Sequence, residues 1–330
     1  MNTSTNAKAS VYVTRRIPEV GLGEIREACN VRLWGNETPP SKEDIIREVA
    51  SCEGLLCLLT DPIDADVIEA GERLRVISQY AVGVDNVDLA AATERGIPVG
   101  HTPGVLTEAT ADMAFALLMA IARRIPEGIE KVKTGGWRTW EPMGLLGANV
   151  WGATLGIVGL GRIGTAVARR AQGFAMHILY HDPQRHPALE EELGLVYASL
   201  EDLLAQSDFV SLHCPLNEET QHLIDEDTLR QMQPTAMLVN AARGPVVDTD
   251  ALMRALRDGW IAGAALDVTD PEPLPAEHPL LKFSNCVVVP HVASATVSAR
   301  NRMATMAAEN LLAGLQGEPL PYCVNPEVYT

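Results

Sequence analysis

The stretch ATLGIVGLGRIGTAVARRA, residues 153–171, decides the fold. An apolar strand leads into the spacing Gly159-x-Gly161-x-x-Gly164, and an amphipathic helix follows. In a dinucleotide-binding βαβ unit, the first glycine makes a tight turn. The second lets the backbone approach a pyrophosphate, and the third allows close packing of helix and strand. The helix N-terminus would face the negative charge. We therefore predict a dinucleotide site at this turn.

The next strand supplies the acidic residue that such a site requires. HILYHD ends at Asp182, eighteen residues after Gly164. A carboxylate at this place binds the ribose hydroxyls of NAD and repels the 2′-phosphate of NADP. Asp182 therefore favours NADH. NADPH stays possible, because His181 and Arg185 flank the acid and could accommodate a phosphate.

Apolar strands alternate with amphipathic helices along the rest of the chain. Before Pro103, the strings VYVT, LLCLLT, VISQYAV and IPVGHT predict buried strands. SKEDIIREVA and DLAAATERG predict helices, with Ser41 as an N-cap and Gly96 at the end of the second. A second series follows Thr154, with the strands TLGIVG, HILYHD, FVSLHCP, AMLVNAAR, GAALDV and NCVVVPH. This alternation predicts an α/β protein with two Rossmann-like parallel-sheet domains, one flavodoxin-like and one dinucleotide-binding, and a cleft between them.

Between the two series lies a long apolar segment followed by a tryptophan-rich loop. Residues 107–135 predict a buried helix, or two helices broken at Pro126. The loop GGWRTWEPMGLLGANVWG, residues 135–152, carries three of the five tryptophans. Aromatic residues in a loop are typical of an interface or a pocket rim, but packing on their own domain is an equal alternative.

Composition limits the partners and the compartment. The 330 residues carry a formal net charge of -17, which argues against nucleic acid and against an anionic membrane surface as partners. Six dispersed cysteines without a C-x-x-C pair indicate free thiols in a reducing compartment, with no metal site. The polar N-terminus MNTSTNAKAS predicts no secretory signal. The apolar run MAFALLMAIA is too short to span a bilayer. We expect a cytoplasmic protein.

Three polar residues stand at strand ends in the second series. Arg243 follows AMLVNAA, Glu272 lies just past GAALDV, and His291 follows NCVVVP. Ligands of open α/β sheets bind beyond the carboxyl ends of the strands, so we predict that the three converge. A guanidinium binds a carboxylate and polarises a carbonyl, an imidazole donates a proton, and a carboxylate orients that imidazole. Taken singly, they could be a surface ion pair, a turn residue and a core histidine.

Several strings together carry a resemblance to a known family. They are YAVGVDNVD, TPGVLTEATAD, GLGRIG, NAARGPVVD, ALDVTDPEPLP and PHVASAT. With them the chain resembles the D-isomer-specific 2-hydroxyacid dehydrogenases, and is most like the glyoxylate/hydroxypyruvate reductases. The resemblance implies NAD(P)H-dependent reduction of a small 2-oxo acid, glyoxylate or hydroxypyruvate, to the D-2-hydroxy acid. It also implies a homodimer and assigns Arg243, Glu272 and His291 as the catalytic residues.

The resemblance also implies where the domains and ligands lie. Residues 1–103 and 295–330 would form a substrate (lid) domain, and residues 104–294 the dinucleotide-binding domain, with a dimerisation helix and loop around 107–150. The predicted cofactor contacts are Gly159, Gly161, Arg162, Ile163, Gly164, Asp182, Pro215, Ala241 and Asp267. The predicted substrate contacts are the backbone amides of Val82 and Gly83, the hydroxyl of Ser294, and Trp140 from the second subunit.

Two alternatives stay open. The first is another D-2-hydroxyacid dehydrogenase, either D-lactate-like or phosphite-type. Val82 argues against the phosphite type, because the phosphite dehydrogenases that this chain resembles carry a lysine there. The second is a binding protein without catalysis, similar to the NAD-gated corepressors that share this fold, because fold alone does not fix function.

Overall fold

The computed structural model describes residues 8–330. The chain divides into two compact units. The first contains residues 8–106 and 296–330, and the second contains residues 107–295. The prediction that the N-terminus carries no secretory signal rests mostly on residues 1–7, which lie outside the described residues.

The first unit is built on a five-stranded parallel sheet. Its strands are β1 (Ser10–Val13), β2 (Asn30–Leu33), β3 (Gly54–Cys57), β4 (Val76–Gln79) and β5 (Val99–Gly100). They lie in the order β2-β1-β3-β4-β5, which is the flavodoxin-like order. Its helices are α1 (Glu19–Ala28), α2 (Lys42–Val49), α3 (Ala65–Ala70), α4 (Leu89–Glu94) and, from the C-terminal part of the chain, α12 (Val297–Gln316). Ser41 caps α2 as predicted.

Helix α12 is packed into this unit by close backbone contacts. A Cβ atom on Gly21 of α1 would lie 2.2 Å from the carbonyl oxygen of Ala304, so the two helices can approach only because residue 21 is glycine. On the sheet side, the Ser78 hydroxyl donates a hydrogen bond to the carbonyl of Ala307 at 2.8 Å. Helix α12 therefore covers one face of the first sheet.

The second unit is built on a seven-stranded parallel sheet. Its strands are β6 (Thr154–Val158), β7 (His177–His181), β8 (Val196–Tyr197), β9 (Phe209–Leu212), β10 (Met237–Asn240), β11 (Gly263–Leu266) and β12 (Cys286–Val288). Its helices are α5 (Thr107–Ala122), α6 (Ile125–Lys133), α7 (Arg162–Gln172), α8 (Pro187–Leu193), α9 (Leu200–Gln206), α10 (Glu226–Gln231) and α11 (Thr249–Asp258). The strand order is β12-β11-β10-β9-β6-β7-β8. The chain thus reverses direction across the sheet between β6 and β9, where such sheets bind their ligands. The predicted α/β class with two parallel-sheet domains is confirmed.

The segment predicted as a buried helix is buried only in its first half. Helix α5 packs against α7, β10 and β11. The helix breaks at Arg124, which has a φ of 53°. Pro126 lies in the first turn of α6, where its missing N–H leaves no hydrogen bond unmade. No residue of α6 is buried, so the prediction is wrong for this helix.

Three observations bear on the wider environment. In the part of the chain that the structure describes, no helix is long and apolar enough to cross a membrane. All six cysteines are free thiols, and four of them are buried. Among residues 8–330, no group of three or more His, Cys, Asp and Glu side chains is placed to hold a metal ion.

Candidate active site

The turn between β6 and α7 has the shape of a dinucleotide cradle. Gly159 has a φ of 92°, and a Cβ atom there would lie 2.6 Å from the amide nitrogen of Cys214. A Cβ atom on Gly164 would lie 2.2 Å from the carbonyl oxygen of Gly159. Only glycine fits at these two places, because both approaches involve backbone atoms. Around Gly161, by contrast, a Cβ atom would meet nothing within 4 Å, so that face of the turn is open to a ligand.

The N-terminus of α7 is suited to an anion. Gly161 is its N-cap and offers no capping side chain, and the first turn holds no acidic residue. Arg162 and Ile163 are the first two residues of the helix. The backbone N–H groups of this turn and the positive end of the helix dipole therefore point at the space beside Gly161. A pyrophosphate group fits this arrangement.

Asp182 ties the end of β7 to the glycine turn. Its Oδ2 atom accepts a hydrogen bond from the Leu160 amide at 2.8 Å, and its Oδ1 atom accepts one from the Gln184 amide at 3.1 Å. His186 Nε2 lies 3.4 Å from Oδ1. A carboxylate oxygen can accept more than one hydrogen bond, so Asp182 retains acceptor capacity for a ribose. Pro215 and Ala241, predicted to line the cofactor, follow β9 and β10 at this same edge.

A buried asparagine shapes the turn that carries Arg243. Asn240 ends β10, and its Nδ2 donates to the carbonyl of Arg243 at 2.8 Å. Its Oδ1 accepts from the Ala242 amide at 3.0 Å. The Arg243 guanidinium donates to the carbonyl of Ala242 at 2.9 Å. The role of Asn240 was not predicted from the sequence. The signal available was a polar residue ending an apolar strand directly before a turn.

The turn after Arg243 lies directly against the turn that leads to Glu272. A Cβ atom on Gly244 would lie 1.9 Å from the carbonyl oxygen of Thr269. The Thr269 amide in turn donates to Oε2 of Glu272 at 3.4 Å. The absence of a side chain at residue 244 therefore allows the two turns to touch. Because β10 and β11 are neighbouring parallel strands, both turns leave the same edge of the sheet.

Glu272 and His291 form a direct pair. Nδ1 of His291 lies 2.6 Å from Oε1 of Glu272. A carboxylate accepts hydrogen bonds, so Nδ1 is the donor in this pair. The bond fixes the orientation of the ring and leaves Nε2 on the side opposite Glu272. The side chain of His291 is 23% exposed and that of Glu272 is 29% exposed, so a ligand can reach both.

Asp267, at the end of β11, holds the turn that carries His291. Its carbonyl oxygen accepts from the His291 amide at 2.8 Å. Its two carboxylate oxygens accept from the amides of Val292 at 2.7 Å and Ala293 at 3.0 Å. Burial raises the pKa of Asp267, and the two amide donors oppose that shift. The predicted contact of Asp267 with the nicotinamide stays a prediction. Ser294 follows in the same turn and is partly exposed.

The predicted substrate residues of the first unit lie in the loop after β4. The carbonyl of Val82 accepts from Nδ1 of His101 at 2.9 Å, and the carbonyl of Gly83 accepts from Gln79 at 3.4 Å. Gln79 also donates to Asn86 at 2.6 Å. These bonds hold the carbonyl groups and so fix the orientation of the peptide units in the loop.

The tryptophans of the loop after α6 are exposed. Trp140 is 81% exposed, and Trp137 and Trp151 are also largely exposed. The alternative that they pack on their own domain is therefore wrong.

His213 directly follows β9, and no role for it was predicted from the sequence. Its Nε2 pairs with the Ser211 hydroxyl at 2.8 Å, and burial lowers its pKa to about 4.

Comparisons with known proteins agree with this geometry. Residues 115–293 match the model of the D-isomer specific 2-hydroxyacid dehydrogenase, NAD binding domain. The chain belongs to this dehydrogenase family. It is 58% identical over 322 residues to a glyoxylate reductase from Korarchaeum cryptofilum, covering 97% of each chain. The family resemblance seen in the sequence is confirmed.

Solved structures support the same assignment. A glyoxylate reductase from Paecilomyes thermophila superposes on this dehydrogenase with a TM-score of 0.85 at 31% identity, over 96% of this chain and 98% of that one. An NADPH-dependent glyoxylate/hydroxypyruvate reductase from Sinorhizobium meliloti, in complex with NADP and malonate, gives a TM-score of 0.84 at 31% identity, over 97% and 98%. The chain is therefore an oxidoreductase that uses a nicotinamide cofactor, and it reduces a 2-oxo acid.

Proposed function

We propose that this dehydrogenase reduces glyoxylate or hydroxypyruvate to the D-2-hydroxy acid, with NADH as the preferred coenzyme. The observation that carries the proposal is the 2.6 Å pair between Glu272 and His291, in turns that follow β11 and β12 at the same sheet edge as the Arg243 turn. An acid, its orienting carboxylate and a guanidinium are the groups that reduction of a 2-oxo acid requires. The glyoxylate reductases among the relatives support the choice of substrate.

Each group has a proposed role. Arg243 would bind the substrate carboxylate through its planar fork and polarise the carbonyl. Nε2 of His291 would donate the proton to the carbonyl oxygen as it becomes an alkoxide. Glu272 would stabilise the imidazolium and hold the ring in place. When bound, the coenzyme supplies the hydride, which belongs to its own chemistry rather than to the protein.

The first unit would provide the remaining substrate contacts and act as the lid. The amides of Val82 and Gly83 would bind the substrate carboxylate, and Ser294 of the second unit would add a hydroxyl. Val82 is small and apolar, which suits a substrate with two or three carbons. One methylene in an apolar pocket changes binding by only about 1–3 kcal/mol, so pyruvate and larger 2-oxo acids stay possible substrates.

The coenzyme proposal rests on the glycine turn and Asp182. The glycine turn and the helix dipole would hold the pyrophosphate, with Arg162 and Ile163 beside it. Asp182 would bind the ribose hydroxyls, and the negative charge of its carboxylate would disfavour a 2′-phosphate. The Sinorhizobium meliloti enzyme contains NADP, but this is a property of that enzyme, and the proposal for this chain follows from Asp182.

We propose that the protein is a homodimer formed through α6 and the loop that follows. Helix α6 exposes Ile125, Ile129 and Val132 on one side. In the adjoining loop, Trp137, Trp140, Met143 and Leu146 are exposed as well. An apolar surface of this extent is typical of an interaction site. A second copy of the chain is the occupant we favour, with Trp140 reaching the partner's substrate. The free thiols support a cytoplasmic location.

The test is coenzyme oxidation followed at 340 nm in the presence of glyoxylate, hydroxypyruvate or pyruvate. We expect turnover with the first two acids, loss of turnover in His291→Ala, and normal turnover in His177→Ala. His177 is the first residue of β7 and so lies at the amino-terminal ends of the strands, opposite the edge that carries His291. It serves as the matched control. Coenzyme binding without turnover of any of the three acids would favour another hydroxy acid or the binding-protein alternative.

A further inference from the structure

A cation stands close to Asp182 in the chain but is held by another residue. Arg185 lies three residues after Asp182, in a loop that turns back toward it through the Gln184 amide. An arginine in this place can bind the 2′-phosphate of NADP. Its guanidinium is instead directed at Glu190 of α8. Nε donates to Oε1 at 2.8 Å, and Nη2 donates to Oε2 at 2.8 Å.

Glu190 is the fixed member of this pair. Its Oε1 also accepts a hydrogen bond from the hydroxyl of Tyr180 at 2.7 Å, and that hydroxyl accepts one from the His186 amide at 2.8 Å. The Glu190 side chain is 15% exposed, whereas that of Arg185 is 64% exposed. The hydrogen bonds from Arg185 and Tyr180 lower the pKa of Glu190 to about 2. The carboxylate is therefore charged at every pH at which the enzyme would be assayed.

We propose that Glu190 determines coenzyme preference by holding Arg185 in a bidentate pair and so withholding it from a 2′-phosphate. The proposal rests on the dinucleotide site proposed above. Glu190 would not touch the coenzyme, so it acts as a specificity-determining residue through Arg185. The negative charge of Glu190 offsets that of the Arg185 guanidinium, and this balance disfavours a phosphate dianion.

The pair also explains why Arg185 alone does not make the site suitable for NADP. A guanidinium whose fork already faces a carboxylate must give up those charge-assisted hydrogen bonds before it can bind a phosphate in the same way. The energy gained on the phosphate is then offset by the energy lost on Glu190. Removing the charge of Glu190 while keeping its shape releases this offset.

The test measures coenzyme affinity directly, without a 2-oxo acid. Dissociation constants for NADH and NADPH are determined by titration calorimetry for wild type, Glu190→Gln, Arg185→Ala and the double variant. Glu192→Gln is the matched control, because it makes the same charge change on the same helix. Glu192 pairs with Arg169 at 2.8 Å, two turns beyond the start of α7.

We expect Glu190→Gln to lower the Kd of NADPH by about tenfold, the lower end of what a charge-assisted hydrogen bond contributes, because Arg185 is exposed to solvent. The Kd of NADH should change by less than about twofold, and Glu192→Gln should leave both coenzymes unchanged. Arg185→Ala alone should have little effect, yet it should abolish the gain in the double variant.

Two results would overturn the proposal. One is a gain in NADPH affinity no larger in Glu190→Gln than in Glu192→Gln. The other is a gain that persists in the double variant, which would assign it to general charge rather than to Arg185. If Glu190→Gln lowers the melting temperature too far for titration, Glu190→Ala takes its place. Wild type that binds neither coenzyme would contradict the proposed function itself.

Discussion

Substituting Gly244 by alanine tests whether the Arg243 and Glu272 turns must touch. The added Cβ atom would lie 1.9 Å from the Thr269 oxygen and 2.2 Å from the Thr269 carbonyl carbon, where contacts below 3.0 Å essentially never occur. The two turns must therefore separate by about 1 Å. A displacement of that size in a reacting geometry costs on the order of a hundredfold in rate. This corresponds to about 2.7 kcal/mol of transition-state stabilisation.

The assay is steady-state NADH oxidation with glyoxylate, combined with NADH titration and thermal unfolding. We expect kcat/KM to fall about a hundredfold and the Kd of NADH to change much less, because the glycine turn follows β6, two strands away from β10. Overpacking should also lower Tm by a few degrees. Gly23→Ala in α1 is the control, since a Cβ atom there would meet nothing nearer than 3.9 Å. Wild-type kcat/KM together with wild-type Tm in Gly244→Ala would refute the reasoning.

Three further substitutions test other parts of the structure. Arg243→Lys should lower kcat/KM with glyoxylate on the order of a hundredfold and leave the Kd of NADH unchanged, because an ammonium cannot copy the fork; equal activity would remove bidentate binding from the mechanism. Burial lowers the pKa of His213 to about 4 from 6.5, so the unfolded chain binds a proton that the folded chain does not. Stability is therefore lost as pH falls from about 6.5 to 4, and His213→Gln should show a smaller decrease in Tm over that interval; parallel curves would contradict this. Ile129→Glu should convert a dimer to a monomer in light scattering, while Glu130→Gln on the same helix should not; an unchanged mass would place the interface elsewhere.

The sequence predicts strands well where both faces of a strand are buried. The inner strands β6, β9, β10 and β11 are mostly apolar and almost entirely buried, and they stand out for that reason. Strands β2 and β8 were missed because they lie at sheet edges, where exposed residues interrupt the apolar pattern. The sequence of helix α6 predicts a buried helix, but none of its residues is buried. Its apolar residues are spaced as in a core helix, and a sequence does not state whether such a face meets its own chain or another surface.

The residues of the candidate site also fall into those that the sequence predicts and those that it does not. Arg243, Glu272 and His291 could be placed from the sequence because each follows a strand of one parallel sheet. The residues that position them could not. Asp267 bonds to the amide of Val292, twenty-five residues away, and Asn240 acts through backbone groups of its own turn. Such bonds depend on backbone geometry that neither composition nor spacing encodes.

Helix α12 gives the protein an unusual order of assembly during synthesis. The ribosome makes residues 8–106 first, but the helix that covers their sheet belongs to residues 296–330. The 189 intervening residues form the whole second unit, which can fold as soon as it has emerged. Synthesis of the intervening residues takes roughly 10–40 s at about 5–20 residues per second, and the first unit lacks helix α12 for that time. During that time the apolar face around Leu22, Ile25 and Val76 has no cover. Of the two units, the one whose synthesis begins first is therefore the one that finishes folding last.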